Sequence, residues 1–239
     1  MRSVVDKSSV VTWKGDAFRL IPSRFPPVNI YEEVIANDRI EALVEIENLT
    51  NPRLRSAQRL MSASLGINPE SARLQNWNHA PFAYSNPEGS RFFPPERPSL
   101  DLADSRQTAL AVSVARRELF LRRTSEPAVG LDMRMLKTPI DGRFLDLRSI
   151  DPDLDKDARW ALGAEVPQDV DGILYRPPER PSATCVAVAS ASALQRSIQT
   201  VHYRYLWNGS KVIKLYAFDD VGTELSPLAL GGVEDIVAA

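Results

Sequence analysis

Residues 105–121 read SRQTALAVSVARRELFL, and the fold turns on whether this run is a helix or a strand. Val112, Ala115 and Leu119 recur three and four apart, while Arg116, Arg117 and Arg122 fall on the other positions. That is the spacing of an amphipathic helix with an apolar stripe and a charged back. The run therefore predicts a helix over 105–122, with the arginines reaching solvent.

Outward from this helix the periodicity changes. Alternating apolar residues predict strands at LDMRMLKT (131–138) and RFLDLRS (143–149), then at DGILY (171–175) and TCVAVAS (184–190), with a helix at DKDARWALGAEV (155–166) between the two pairs. A hairpin follows at VHYRYLWNGSKVIKLYAF (201–218), where Asn208-Gly209 is read as supplying the positive φ angles of a tight turn. On the other side, AFRLIPS (17–23) reads as a strand ended by prolines. DRIEALVEIENL (38–49) reads as a helix capped by Asp38, because Ile40, Leu43 and Ile46 recur at helical spacing. Strands mixed with helices in this order predict a single α+β domain with a mixed, split β-sheet.

Composition sets the outer bounds. The chain has 239 residues, 44% hydrophobic and 25% charged, which fits one globular domain of ordinary composition. The 18 prolines gather in short groups such as PSRFPP, FFPPERP and YRPPERP, punctuating loops without marking a domain boundary. A formal charge of -2 gives no general attraction to nucleic acid or to an anionic membrane. The sequence offers neither an apolar run of membrane-spanning length nor a signal-peptide core, so a cytoplasmic protein is expected.

Motifs with self-evident chemistry are few. There is no phosphate loop, no GxGxxG after a strand and no Cys/His spacing for zinc, and no metal is expected. Cys185 lies in an apolar run and reads as a buried strand residue. His79 and His202 are far apart in sequence, and structural roles are expected for both. The arginines carry more information. Arg19, Arg24 and Arg91 sit beside aromatic or proline-rich turns at the ends of elements, where a forked guanidinium can hold a diphosphate bidentately.

Taken in order, FRLIPSRFPPVNIYE, LTNPRLR, NPEGSRFF, TALAVSVARRELFLRRTSEP, DARWALG, DGILYRPPERPSATCVAVASASAL and HYRYLWNG resemble the longer branch of the RES-domain family over residues 17 to 208. Residues 1–16 then form an N-terminal extension, and 209–239 a C-terminal strand and tail packed on the same domain. The resemblance implies a fold related to ADP-ribosyltransferases. It also implies the toxin of a toxin-antitoxin pair, with an Xre-type helix-turn-helix antitoxin as partner. Such toxins consume NAD by hydrolysis or phosphorolysis, or transfer its ADP-ribose to a protein.

Cleaving the nicotinamide-ribose bond develops positive charge on the sugar, so the chemistry needs a nearby carboxylate and arginines on the diphosphate. The resemblance places the arginines at Arg19 and Arg91, with Arg24 nearby. It also exposes three departures. Asp101 stands at the family's tyrosine position, Val112 at its glutamate and Arg159 at its serine. Asp101 is therefore the expected catalytic acid, with Glu118 as another source of charge. The alternative is a catalytically silent relative that keeps the fold for nucleotide or antitoxin binding.

Overall fold

The computed structural model describes residues 9–23, 81–82, 86–218 and 223–237. Arg24, His79 and the helix expected at 38–49 lie outside them. The elements run β1 (Val10–Pro22), β2 (Leu100–Ala103), α1 (Arg106–Arg123), β3 (Val129–Asp146), α2 (Lys156–Ala164), β4 (Gly172–Tyr175), β5 (Cys185–Val188), β6 (Ile198–Trp207), β7 (Val212–Phe218) and β8 (Glu224–Leu225). They build one mixed eight-stranded sheet in the order β1-β2-β5-β4-β3-β6-β7-β8.

β3 organises it. The two strands expected at 131–138 and 143–149 are one strand of 18 residues. Along one edge β3 pairs antiparallel with all of β1, from Val10↔Leu145 to Pro22↔Met133. Its other edge is shared: Val129 to Lys137 pair antiparallel with β6, and Phe144 to Asp146 pair parallel with β4. β1 also meets β2 at Phe18↔Ala103. The pairings β1-β2-β5-β4-β3-β1 thus close a five-stranded ring, with β6, β7 and β8 leaving it as a wing. β1 begins well before AFRLIPS, at Val10.

Strand alternation gives each strand two faces. Ala17, Ile140, Phe144, Leu174, Val186 and Val188 point into the ring and form one apolar cluster. Their neighbours Ile173, Tyr175, Cys185 and Ala187 point outward into the larger core, where they join α1 and the inner residues of β6 and β7. Cys185 is buried there, and burial pushes its thiol pKa up, so it packs as a small apolar residue.

α1 starts where the sequence predicts. Ser105 adopts extended backbone and its side chain accepts a hydrogen bond from the Thr108 N–H, capping the first turn. The buried face differs from the expected stripe. Gln107, Leu110, Val114 and Leu121 are buried, whereas Leu119 is 46% exposed. In the hairpin, Gly209 alone takes a positive φ, +96°. Asn208 acts through its side chain, whose oxygen accepts from the Ser210 and Lys211 N–H groups. Among the described residues no helix is long and apolar enough to cross a membrane.

This burial pattern separates two leucines of α1. Leu110→Ala removes a fully buried side chain and is expected to destabilise the fold by about 2 to 5 kcal/mol. Leu119→Ala is expected to stay within about 0.5 kcal/mol of the parent. Urea unfolding of the two variants checks the difference, and equal losses would refute the placement of the face.

Candidate functional site

The outward face of the ring gathers charge around one buried ring, Tyr175. In β2 the side chain of Asp101 lies on that face, opposite Ala187 of β5, and is 8% exposed. One carboxylate oxygen accepts from Arg116 Nη2 at 2.7 Å. The other, Oδ1, is buried with no hydrogen-bond partner. Arg116 comes from α1, one turn after Val112, so both lie on the helix face turned to β2. Burial works against the Arg116 charge, but the Asp101 carboxylate more than offsets it and holds the guanidinium pKa above its ordinary value. Arg116 reaches solvent as expected. Half of its side chain is exposed, yet its end is tied to Asp101.

Arg91 approaches Tyr175 with its guanidinium 5.2 Å from the ring centroid, within reach of a cation-π attraction. It also lies 5.9 Å from the ring of Phe92. The Tyr175 hydroxyl is held well above its ordinary pKa by burial first and by the Asp101 charge second, with Arg91 and Arg116 opposing. Asp101 and Arg91, ten positions apart in a proline-rich stretch, thus act on the same phenol.

Arg159 joins them through the packing of α2. Gly163 lets the helix press on the neighbouring backbone, since a Cβ there would sit 1.8 Å from the Phe92 carbonyl oxygen. Trp160 Nε1 donates to the Ser90 carbonyl at 3.1 Å, and Arg97 Nη1 donates to the Gly163 carbonyl at 2.8 Å. Arg159 Nε then reaches the Arg91 carbonyl at 3.1 Å. Arg91, Arg159, Tyr175 and Arg176 line an open cleft with Ile150 and Asp151. Asp101 adjoins this cleft through Tyr175.

The remaining candidates lie elsewhere. Arg19 lies in β1 between Phe18 and Leu20, which pack on the larger core with α1, so alternation turns its side chain to the other face. Burial lowers its pKa to about 10, leaving it charged at neutral pH. Glu118 holds the start of β7: its Oε1 accepts from the Val212 N–H at 2.7 Å and its Oε2 from Arg122 at 3.2 Å. Val112 is half-buried against the larger core. No group of three or more His, Cys, Asp or Glu side chains among the described residues could hold a metal ion.

Sequence reasoning passed over two members of this cluster. Tyr175 lies inside the quoted motif DGILYRPPERP, and an aromatic ending a fully apolar strand was the available signal. Nothing local marks Arg116, whose partner is 15 residues away.

Comparison with known proteins places the same stretch in a family. The model of the RES domain matches residues 69–208, which include β2, α1, β3, α2, β4, β5 and β6. The chain is also 59% identical over 228 residues, 95% of its length and 98% of the relative's, to a Sinorhizobium fredii protein described as uncharacterized protein y4oC.

The Asp101–Arg116 pair generates a stability test. Arg116→Met leaves a carboxylate buried without its cation. Because half of the arginine side chain is exposed, the expected loss is reduced to about 1 to 3 kcal/mol. Combining it with Asp101→Val is expected to recover most of that loss in a double-mutant cycle. Strict additivity in urea unfolding would show that the two side chains do not interact.

Proposed function

The chain belongs to the RES-domain family, and on that premise we propose that it consumes NAD as the toxin of a toxin-antitoxin pair, on a fold of ADP-ribosyltransferase type. The observation that carries the proposal is the meeting of Arg91 and Asp101 at Tyr175. Arg91 is the arginine the resemblance implies for the diphosphate, and Asp101 the carboxylate expected beside the sugar.

In this reading Arg91 takes a phosphate of the dinucleotide with its forked donors, and the Asp101 carboxylate faces the ribose. The bond between the ribose C1′ and the nicotinamide nitrogen breaks with its electron pair on nicotinamide, which leaves neutral. Positive charge then rests on the sugar, next to a carboxylate. An oxygen nucleophile from water, phosphate or a protein closes the new bond at C1′ and gives up its proton. An Xre-type antitoxin binds the toxin and restrains it.

A second reading rests on a separate observation. Asp101 is already paired with Arg116, and Val112 supplies no acid from α1. A neutralised carboxylate stabilises the sugar's charge poorly, so on this reading the protein is a silent relative that binds nucleotide or antitoxin without turnover.

One assay separates the two. Purified protein is incubated with NAD, with and without phosphate, and the nucleotides are identified by mass spectrometry. The proposal expects nicotinamide release from the parent and a fall of about a hundredfold or more in Asp101→Asn, with the phosphate arm naming the acceptor. Release that persists unchanged in Asp101→Asn removes Asp101 from the mechanism. No release from a parent protein that still binds the dinucleotide establishes the silent relative.

A further inference from the structure

The cleft beside Tyr175 holds more positive charge than the catalytic proposal uses. Arg91, Arg159 and Arg176 line it together, opposed by Asp151. Among the described residues none of the three forms an ion pair with a carboxylate; each is positioned by backbone carbonyls. Arg91 Nη2 donates to Pro152, Arg159 Nε to Arg91 and Nη1 to Leu154, and Arg176 Nε and Nη1 to Arg148 and Pro181. Carbonyls orient a guanidinium without neutralising it. Donors also remain unused, including the buried Nε of Arg91, which has no partner.

Two of these cations face each other. The Arg159 charge is disfavoured first by burial and then by the charge of Arg91. α2 is seated on the 90–93 backbone by Gly163 and Trp160, which holds the two arginines' backbones side by side. Like charges held together in a cleft favour an anion between them.

We propose that Arg159 and Arg176 act with Arg91 as a clamp for the diphosphate of a nucleoside diphosphate, and that this is the ligand class the cleft selects. The proposal rests on reading the same cleft as the dinucleotide site and names the residues that hold the ligand there. The three forks come from three parts of the chain: the segment before β2, α2, and the loop after β4. A single phosphate or carboxylate fills one or two forks, whereas two linked phosphoryl groups can engage all three. Two negative charges also complement three arginines whose nearby carboxylates, Asp151 in the lining, Asp155 by Arg159 and Asp146 by Arg176, form no ion pair with them. Ile150 and Pro152, both partly exposed in the lining, supply apolar surface for the attached nucleoside. Arg159 thereby acquires a role specific to this chain, since the resemblance places a serine at its position.

The test is calorimetric titration of the full chain at low ionic strength with ADP, pyrophosphate, AMP and adenosine. ADP and pyrophosphate are expected to bind, AMP about tenfold more weakly, and adenosine not measurably. Arg159→Ser and Arg176→Gln are each expected to weaken ADP about tenfold while the chain stays folded, its melting temperature falling by a few degrees at most. Arg143→Ala, which removes a surface partner of Asp169, is expected to change nothing. Equal affinities for ADP and AMP, absence of ADP binding, or an unaltered affinity in Arg159→Ser would overturn the clamp. Its fate is separable from that of NAD turnover. Diphosphate selectivity in a protein that releases no nicotinamide keeps the clamp and removes the enzyme. Nicotinamide release together with unchanged ADP affinity in both arginine variants keeps the enzyme and removes the clamp.

Discussion

The rest of the structure depends on the pairing of β1 with β3. Thirteen residues of β1 lie along a strand of eighteen, which fixes one edge of β3 and leaves the other to be divided. β6 takes the first half and β4 the last residues. This division turns part of the sheet into a ring and the rest into a wing. The outward face of the ring then receives α1, and β2, β4 and β5 bring Asp101, Tyr175 and Cys185 beneath that helix.

The three positions at which the resemblance marks a departure, Asp101, Val112 and Arg159, share one electrostatic setting. Asp101 brings a carboxylate into a nearly buried position, where it requires a nearby cation, and Arg116 provides one from α1. Val112, one turn earlier, presents no second acid that would compete for that arginine. Arg159, where the resemblance places a serine, is held next to Arg91 by the Arg91 and Leu154 carbonyls. Asp101 thus places a negative charge under the helix, and Arg159 adds positive charge to the open side of Tyr175.

Some of the fold was legible because its causes are local. Ser105 caps α1 through its own side chain, and the 3.6-residue period that follows is independent of any partner. The same holds for the short apolar runs of β4 and β5 and the alternation in β6. The continuity of β3 was not legible, because Pro139 and Gly142, which lie between the two expected strands, are residues that weaken a strand. Pro139 falls where β3 changes partners, after Lys137 leaves β6 and before Phe144 joins β4, so that edge has no continuous ladder for a proline to interrupt. The buried face of α1 was equally hidden. Gln107 is buried because its amide donates to the Leu230 and Glu234 carbonyls and its oxygen accepts from the Ile236 N–H. Those partners lie more than 120 residues away.

The sequence by itself determined the type of α1, α2, β4, β5 and the β6–β7 hairpin, and offered an arginine at 91 and an acid at 101 as candidates. Each of these follows from neighbours within a few residues or from the spacing of a motif. Tertiary structure alone decided which charges meet. Arg116 and Glu118 are two residues apart on one helix, yet the first closes on Asp101 in β2 and the second on the backbone of β7. Arg19 and Arg91 both looked like phosphate ligands, but alternation along β1 turns the first away while α2 presses a second arginine against the other. Electrostatic partnership depends on distance in space, and those distances were set by how β3 divides its edge.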